Sequence, residues 1–436
     1  MNARSLASIV RQGNAVVQVR NRIDSLLSGR LGRLLERIGI SRAKGDNVSP
    51  VDRMNDLADT LLSVSGKASG PSLASAFFDL YDASSLEERR AFLSGLRARF
   101  PRDGKAIDTA IATWQAAPGE PAARALHKAA EARSHKLIRK LNTAPGGTFR
   151  LIRMREDLLS NGKLAGDEAA LDADFEYIFE GWFNAGFLEL RRIDWDTSAS
   201  VLERVIRYEA VHSIDSWDDL RARVQPADRR CYGFFHPQMP DEPLIFVEVA
   251  LTMDLPDAIG LILDEKRVPI NPHTASHAIF YSISNCQEGL RGVPFGNFLI
   301  KRVVGLLREE LPQLACFATL SPVPGFGRWL AGAGGADGLA GEPLRAKAAE
   351  YLVGGRDAKG NPLDPVARFH LGNGARLEAI HADADLSARG LKQSHGVMVN
   401  YVYDLDAIET NLLTLSELGQ VPHSPAVEAL GQSLAA

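Results

Sequence analysis

Three features of this chain could do chemistry: a glycine-spaced turn, a serine between an apolar run and two prolines, and a histidine beside a Gly-Asn-Gly turn. The first runs Gln287-Glu-Gly-Leu-Arg-Gly-Val-Pro-Phe-Gly296 into Asn297-Phe-Leu-Ile-Lys-Arg-Val-Val. Glycines between a strand-like run and an amphipathic helix aim backbone N–H groups and a positive helix end at whatever fills the turn, commonly a phosphate. Arg291 and Lys301 or Arg302 would add positive charge there. The same residues also suit a plain strand-to-helix connection, and they match neither a Walker loop nor a dinucleotide G-x-G-x-x-G. In Thr319-Leu-Ser-Pro-Val-Pro-Gly-Phe326, the Ser321 hydroxyl ends the next apolar run. A serine ahead of a proline is ordinarily a turn former, and no Gly-x-Ser-x-Gly elbow surrounds it. Its place directly after the helix of the glycine turn is what singles it out. His370 sits in Arg-Phe-His-Leu-Gly-Asn-Gly, read as a strand-like run meeting a turn. An imidazole titrates near neutrality, so His370 is the natural acid–base candidate, with a structural histidine as the plain alternative. His273 and His277 stand four apart but lack the glutamate of a His-Glu-x-x-His site, and no metal site is expected. Turn and hydroxyl together suggest an enzyme handling a phosphate-bearing acyl carrier.

The bulk properties narrow the setting. A length of 436 residues fits two domains or three. Hydrophobic content of 45% and charged content of 24% are those of a globular protein, and a net charge of −4 offers nothing to nucleic acid or an anionic membrane. No apolar run approaches the ~18–20 residues of a membrane helix. Cys231, Cys286 and Cys316 are odd in number and widely spaced, against a disulfide scaffold and for a reducing compartment. Arg4, Arg11, Arg20 and Arg22 precede the first acid, as in an organellar presequence. Valine and leucine spacing continues through them, which favours a basic helix face. The Ser-Leu-Ala-Ala terminus is not a peroxisomal signal, and a cytoplasmic location is expected.

Residues 1–185 read as helix after helix. Ser49-Pro-Val-Asp52 is a capping box with proline at the first helical position, followed by Met54, Leu57, Leu61 and Val64 at helical spacing, with Gly66 to close. Ser85-Leu-Glu-Glu88 repeats the device ahead of Leu93, Leu96 and Phe100. Phe175, Ile178, Phe179, Trp182 and Phe183 form an aromatic face that suits a core. Nothing in this half resembles a reactive site, so it is expected to be a scaffold or assembly domain. Residues 186–436 alternate instead: strand-like runs Cys231–Phe235, Leu244–Thr252, Ala278–Ser284, Cys316–Leu320 and Val397–Tyr403, with helical Asn297–Glu310 and Leu344–Val353. The chain is therefore α+β, an all-helical domain ahead of an α/β domain. Ala331–Gly341 and Gly354–Gly360 read as surface loops.

The turn resembles the pyrophosphate-binding turn of GNAT acetyltransferases, with Arg291, Gly292 and Gly296 at matching positions and Pro294 in place of the middle glycine. Longer strings resemble malonyl-CoA decarboxylases: His236-Pro-Gln-Met-Pro-Asp-Glu-Pro-Leu, Glu248-Val-Ala-Leu-Thr252, Ala278-Ile-Phe-Tyr-Ser-Ile-Ser284 and Gln287 to Val304. So do Leu320-Ser-Pro-Val-Pro-Gly-Phe326, Pro365-Val-Ala-Arg-Phe-His-Leu-Gly-Asn-Gly374 and Asn400-Tyr-Val-Tyr403. The resemblance spans about residues 230–405, in the family's order. It implies a helical domain ahead of a GNAT-like catalytic domain, assembly as a homotetramer of dimer pairs, and malonyl-CoA and acetyl-CoA as substrate and product. It maps the catalytic serine and histidine onto Ser321 and His370, and a further active-site serine and tyrosine onto Ser282 and Tyr403. It assigns CoA to Gln287, Gly289, Arg291, Gly292, Gly296 and Asn297. Pro294 stands where animal members have glutamate, so no carboxylate role is carried over, and the stretch from Phe326 to Pro365 differs from those members.

Decarboxylation leaves negative charge on the α-carbon, delocalised into the thioester oxygen. The thioester is itself the electron sink, so no pyridoxal, thiamine or metal is called for. The expectation is that Ser321 holds the malonyl carboxylate or a neighbouring oxygen, His370 acts as general acid, and Tyr403 orients either group. Which of Ser321 and His370 delivers the proton stays open. So do two other readings: a different CoA-dependent acyltransferase, and a CoA-sensing regulator without catalysis. The pathway is likewise open between control of fatty-acid synthesis and use of malonate as a carbon source.

Overall fold

The computed structural model describes residues 48–63, 70–294, 299–335 and 338–432. Arg4, Arg11, Arg20, Arg22, Val64, Gly66, Gly296 and Asn297 lie outside the described residues. Chain contacts divide the protein into two units. One comprises the described residues up to Trp182 together with Glu288–Val293, the other Phe183–Gln287 and the chain from Pro294 onward.

The first unit is helical, and its sequence signals are visible in the bonds that start the helices. Ser49 Oγ accepts the Asp52 N–H at 3.1 Å, opening Pro50–Ser63, which buries Met54, Leu57 and Leu61. Ser85 and Glu88 satisfy one another's backbone N–H groups at 3.3 and 2.7 Å ahead of Leu86–Arg99. Helix Gly166–Trp182 buries Phe175, Ile178 and Phe179, as a core face should. The segment Glu288–Val293 belongs here because of one side chain. Arg155, 1% exposed, pairs with Asp172 at 2.7 Å and Glu176 at 2.8 Å, and donates to the carbonyls of Gly289 and Arg291 at 3.1 and 2.8 Å. A buried guanidinium with each of its three nitrogens bonded is costly to disturb, and it clamps the turn.

The second unit is built on an eight-stranded sheet. Strands β1 (Glu189–Ile193), β2 (Arg229–His236), β3 (Met239–Thr252) and β4 (His277–Asn285) pair antiparallel in sequence order. β4 then pairs parallel with β5 (Cys316–Thr319), and such a connection requires a crossover. Helix Leu299–Glu310 supplies it, burying Leu299, Ile300, Val303, Val304 and Leu307. The parallel pair ends at Phe280↔Thr319. Beyond it, β6 (Ser321–Pro322) pairs with β8 (Met398–Val402), which also carries β7 (Arg376–His381). Strand, turn, helix and parallel strand, with the two strands parting at their ends, is the topology of a GNAT-like unit. Together with the helical first unit this makes the protein α+β. No helix among the described residues is long and apolar enough to cross a membrane.

Several elements differ from the sequence reading. β1 and β7, and helices Ala199–Tyr208, Trp217–Val224, Ala388–Ser394 and Ile408–Glu417, were not anticipated. Leu344–Val353 resolves into helix Gly341–Ala349 and a π-helical turn, Glu350–Gly354. The setting of His370 is corrected: it lies in helix Pro365–Gly372, not at the end of a strand. Asp364 caps that helix through the N–H groups of Val366 and Ala367 at 2.9 and 3.0 Å, and Pro365 occupies its first turn.

Candidate active site

Ser321, His370 and Tyr403 come together from three separate segments. β5 and β6 deliver Thr319 and Ser321, two residues apart on one strand path and so on one face. β8 runs beside them, with Ala318 opposite Val402 and Ser321 opposite Val399, and the Tyr403 N–H bonded to Phe317 O at 2.8 Å. His370 arrives on its own helix and is released into β7 by a tight turn. Gly374 holds φ +86° in that turn, where a Cβ would meet Ile408 Cγ2 at 2.7 Å.

The resulting contacts form a chain. Tyr403 Oη lies 2.8 Å from His370 Nδ1, and His370 Nε2 lies 3.1 Å from Ser321 Oγ. Ser321 Oγ donates to Thr319 Oγ1 at 2.8 Å, and that oxygen also accepts the Tyr401 N–H at 3.2 Å. The imidazole stacks on Tyr401, 4.8 Å between ring centres and 25° between planes. All five residues are buried. Burial pushes the His370 imidazole down to about 3 and the Tyr403 phenol well above its usual value, so both are neutral at physiological pH. With its hydrogen on Thr319, Ser321 faces the imidazole with lone pairs. Donation to a carboxylate would require that hydrogen to leave Thr319.

Ser282 hydrogen-bonds elsewhere. It and Ser321 each lie two residues past the last β4–β5 pair, but the Ser282 hydroxyl is 2.8 Å from both oxygens of Glu209. Glu209 also accepts from Ser284 Oγ at 3.1 Å and from the N–H groups of Val211 and His212 at 2.8 and 2.9 Å. Glu248, level with Ser282 on β3, is fully buried. Burial first, and the Glu209 charge second, push its carboxyl up to about 8, against the opposing pull of Arg223, 3.4 Å away.

The glycine turn is explained first by packing. A Cβ on Gly289 would stand 2.1 Å from Ile152 O, and one on Gly292, at φ +89°, 2.3 Å from Glu176 Oε1. The Gly289 N–H points at Glu156 Oε1, 3.4 Å away. Arg291 is mostly exposed, and buried Gln287 donates to Pro243 O at 3.0 Å. Among the described residues, no group of three or more His, Cys, Asp or Glu is arranged to hold a metal ion.

Thr319, Tyr401, Asp364 and Glu209 were not picked out from the sequence. Thr319 alternates with Ser321 and could have been found from strand periodicity, and Asp364-Pro365 is a legible helix start. Glu209 is separated from Ser282 by 73 positions and carries no local signal.

The fold is GNAT-like, and its buried imidazole, held between a tyrosine and a serine, is the candidate acid–base centre. The sequence matches the family models described as "Malonyl-CoA decarboxylase N-terminal domain" over residues 100–183 and "Malonyl-CoA decarboxylase C-terminal domain" over 186–338 and 335–435. It is 35% identical to "Malonyl-CoA decarboxylase, mitochondrial" of Mus musculus over 334 residues, covering 65% of this chain and 67% of that protein. With the protein of the same description from Anser anser anser it is 35% identical over 396 residues, covering 77% and 78%. The crystal structure of malonyl-CoA decarboxylase from Agrobacterium vitis matches at 46% identity and a TM-score of 0.82, covering 87% of this chain and 99% of that one. The Rhodopseudomonas palustris structure gives 46%, 0.81, 88% and 100%. The chain belongs to the malonyl-CoA decarboxylase family.

Proposed function

We propose that this protein converts malonyl-CoA to acetyl-CoA and carbon dioxide, with His370 and Ser321 at the reacting centre. The C–C bond to the carboxylate breaks, its electron pair enters the thioester as an enolate, and carbon dioxide leaves. A proton from His370 then adds to the α-carbon, so each turnover consumes one proton from solvent. Positioned donors aimed at the enolate oxygen are each worth ~3–4 kcal/mol in such a step. The observation that carries the reading is the 3.1 Å approach of His370 Nε2 to Ser321 Oγ, made by two distant segments in a buried cluster of polar side chains. Tyr403 orients the imidazole, and Ser282, fixed by Glu209, supports the site.

The segment from Gln287 to Asn297, with Gly289, Arg291, Gly292 and Gly296, is assigned to the CoA diphosphate. Residues 1–185 are assigned to scaffold and assembly, and 186–436 to catalysis. A cytoplasmic homotetramer that needs no cofactor completes the reading, serving either the control of fatty-acid synthesis or growth on malonate. The test is acetyl-CoA formation from malonyl-CoA with no acceptor present, in wild type, Ser321→Ala and His370→Gln. Well-folded variants that both keep the wild-type rate would exclude these roles. Turnover only when an acyl acceptor is added would replace the decarboxylase by a transferase.

A further inference from the structure

We propose that Thr319 is a positioning residue that sets the direction of the hydrogen-bond chain through His370, so that the imidazole carries its proton on Nε2 and presents that atom to the reacting carbon. The inference rests on the reading that His370 acts on malonyl-CoA. Its starting point is the Thr319 hydroxyl oxygen, which is fully buried and accepts two hydrogens, the Tyr401 N–H at 3.2 Å and the Ser321 O–H at 2.8 Å. The backbone N–H of Tyr401 cannot reverse, so one lone pair of Thr319 is committed by β8. The Ser321 hydrogen takes the other, and Ser321 then offers lone pairs to His370 Nε2 at 3.1 Å. A neutral imidazole has one donor and one acceptor nitrogen. With Nε2 donating to Ser321, Nδ1 accepts from Tyr403 Oη at 2.8 Å.

Every hydrogen in the chain therefore points the same way, from Tyr403 to His370 to Ser321 to Thr319, and bonds aligned in this manner polarise one another. The alignment has a chemical use. When Nε2–H passes to the α-carbon of the enolate, Tyr403 O–H can pass to Nδ1, so the ring is never left as an anion. A thioester enolate is far more basic than a phenolate, and the transfer runs downhill. The Tyr403 oxygen recovers its proton from water, which accounts for the proton consumed. Reversing the chain would put the proton on Nδ1 and turn a lone pair toward the enolate, which would block the step.

The test reads the tautomer directly. Two-bond ¹H–¹⁵N correlations of the full chain labelled with [¹⁵N]histidine report which ring nitrogen is protonated, and His370→Gln assigns the signals among the ten histidines. The expected wild-type result is a neutral ring with the proton on Nε2. Thr319→Val removes the acceptor and should disturb that tautomer. It should lower kcat on the order of tenfold or more while the KM for malonyl-CoA stays within about twofold. Thr319→Ser should recover both tautomer and kcat, a rescue that a purely space-filling role would not give. A proton on Nδ1 in the wild type overturns the proposal even if Thr319→Val does not fold. So does a folded Thr319→Val with wild-type kcat. An Nε2 proton in a protein that makes no acetyl-CoA would instead uphold the chain and sink the decarboxylase reading.

Discussion

Asp364 Oδ2 accepts the Gly325 N–H at 3.2 Å, while Oδ1 of the same carboxylate caps the His370 helix at 2.9 and 3.0 Å. One side chain, 1% exposed, thus ties the loop that follows Ser321 to the helix that carries His370. Gly325 permits the approach, since a Cβ there would stand 2.1 Å from Tyr351 Oη. Asp364→Asn keeps the cap but turns an N–H pair toward another N–H. It is expected to cost about 1–3 kcal/mol and to lower kcat more than it changes KM. Urea unfolding with steady-state kinetics checks this, and wild-type values in both would refute the tether.

Tyr403→Phe leaves a buried ring nitrogen of His370 without its 2.8 Å partner. The expected result is a fall in kcat on the order of tenfold to a hundredfold, with KM little changed. Initial rates at saturating malonyl-CoA decide it. An unaltered kcat would remove Tyr403 from the proton path.

Arg291 is the clean probe of the CoA assignment, because its side chain is 63% exposed and its ion pair among the described residues is a long one, to Glu288 at 3.9 Å. Arg291→Ala should raise KM for malonyl-CoA about threefold to tenfold, leaving kcat and the unfolding midpoint in place. Gly292→Val is a poor probe. Its φ of +89° and the nearby Glu176 carboxylate predict a loss of stability whatever the turn binds. Equal KM values for wild type and Arg291→Ala would count against the diphosphate at this turn.

Stability should peak at mildly acidic pH. Burial pushes His370 down to about 3 and His212 to about 4, from a usual 6.5. As pH falls below 6.5 the unfolded chain takes up protons that the native state refuses, so stability drops toward pH 4. Glu248 acts in the opposite sense. Its carboxyl, pushed from 4.5 up to about 8, keeps a proton that the unfolded chain releases, so stability drops as pH rises through 4.5 to 8. Glu248→Gln should flatten the fall between pH 6.5 and 8 and steepen the rise between 4.5 and 6.5. Denaturant midpoints at pH 4.5, 6 and 8 test both limbs, and a variant that still follows the wild-type alkaline slope would clear Glu248 of the effect.

Local signals carried a good part of the fold. Ser49 caps its helix through the Asp52 N–H and Ser85 forms the full box with Glu88, because a cap is a contact between residues three apart. The runs around Cys231, Leu244, Ala278 and Cys316 are strands, because a buried strand advertises itself by composition. The His370 helix was misread because its eight residues are too few to show a period and phenylalanine and histidine are indifferent helix formers. β1, Glu189–Ile193, was missed because four of its five residues remain at least partly exposed, so its polar sequence lacks a strand's apolar signature.

By itself the sequence determined the two-part α+β design, the strand–turn–helix that places the crossover, and Ser321, His370 and Tyr403 as residues worth bringing together. Each follows from residue type and short spacing, or from motifs that resemble a family. Only the tertiary structure decided that Tyr403, His370, Ser321 and Thr319 form one chain while Ser282 bonds to Glu209. It alone showed that Asp364 joins the loop after Ser321 to the His370 helix and that Arg155 holds the glycine turn. These are relations between residues that lie up to 136 positions apart, and their energies depend on burial and on which partner satisfies each polar atom. Neither quantity exists until the chain has folded.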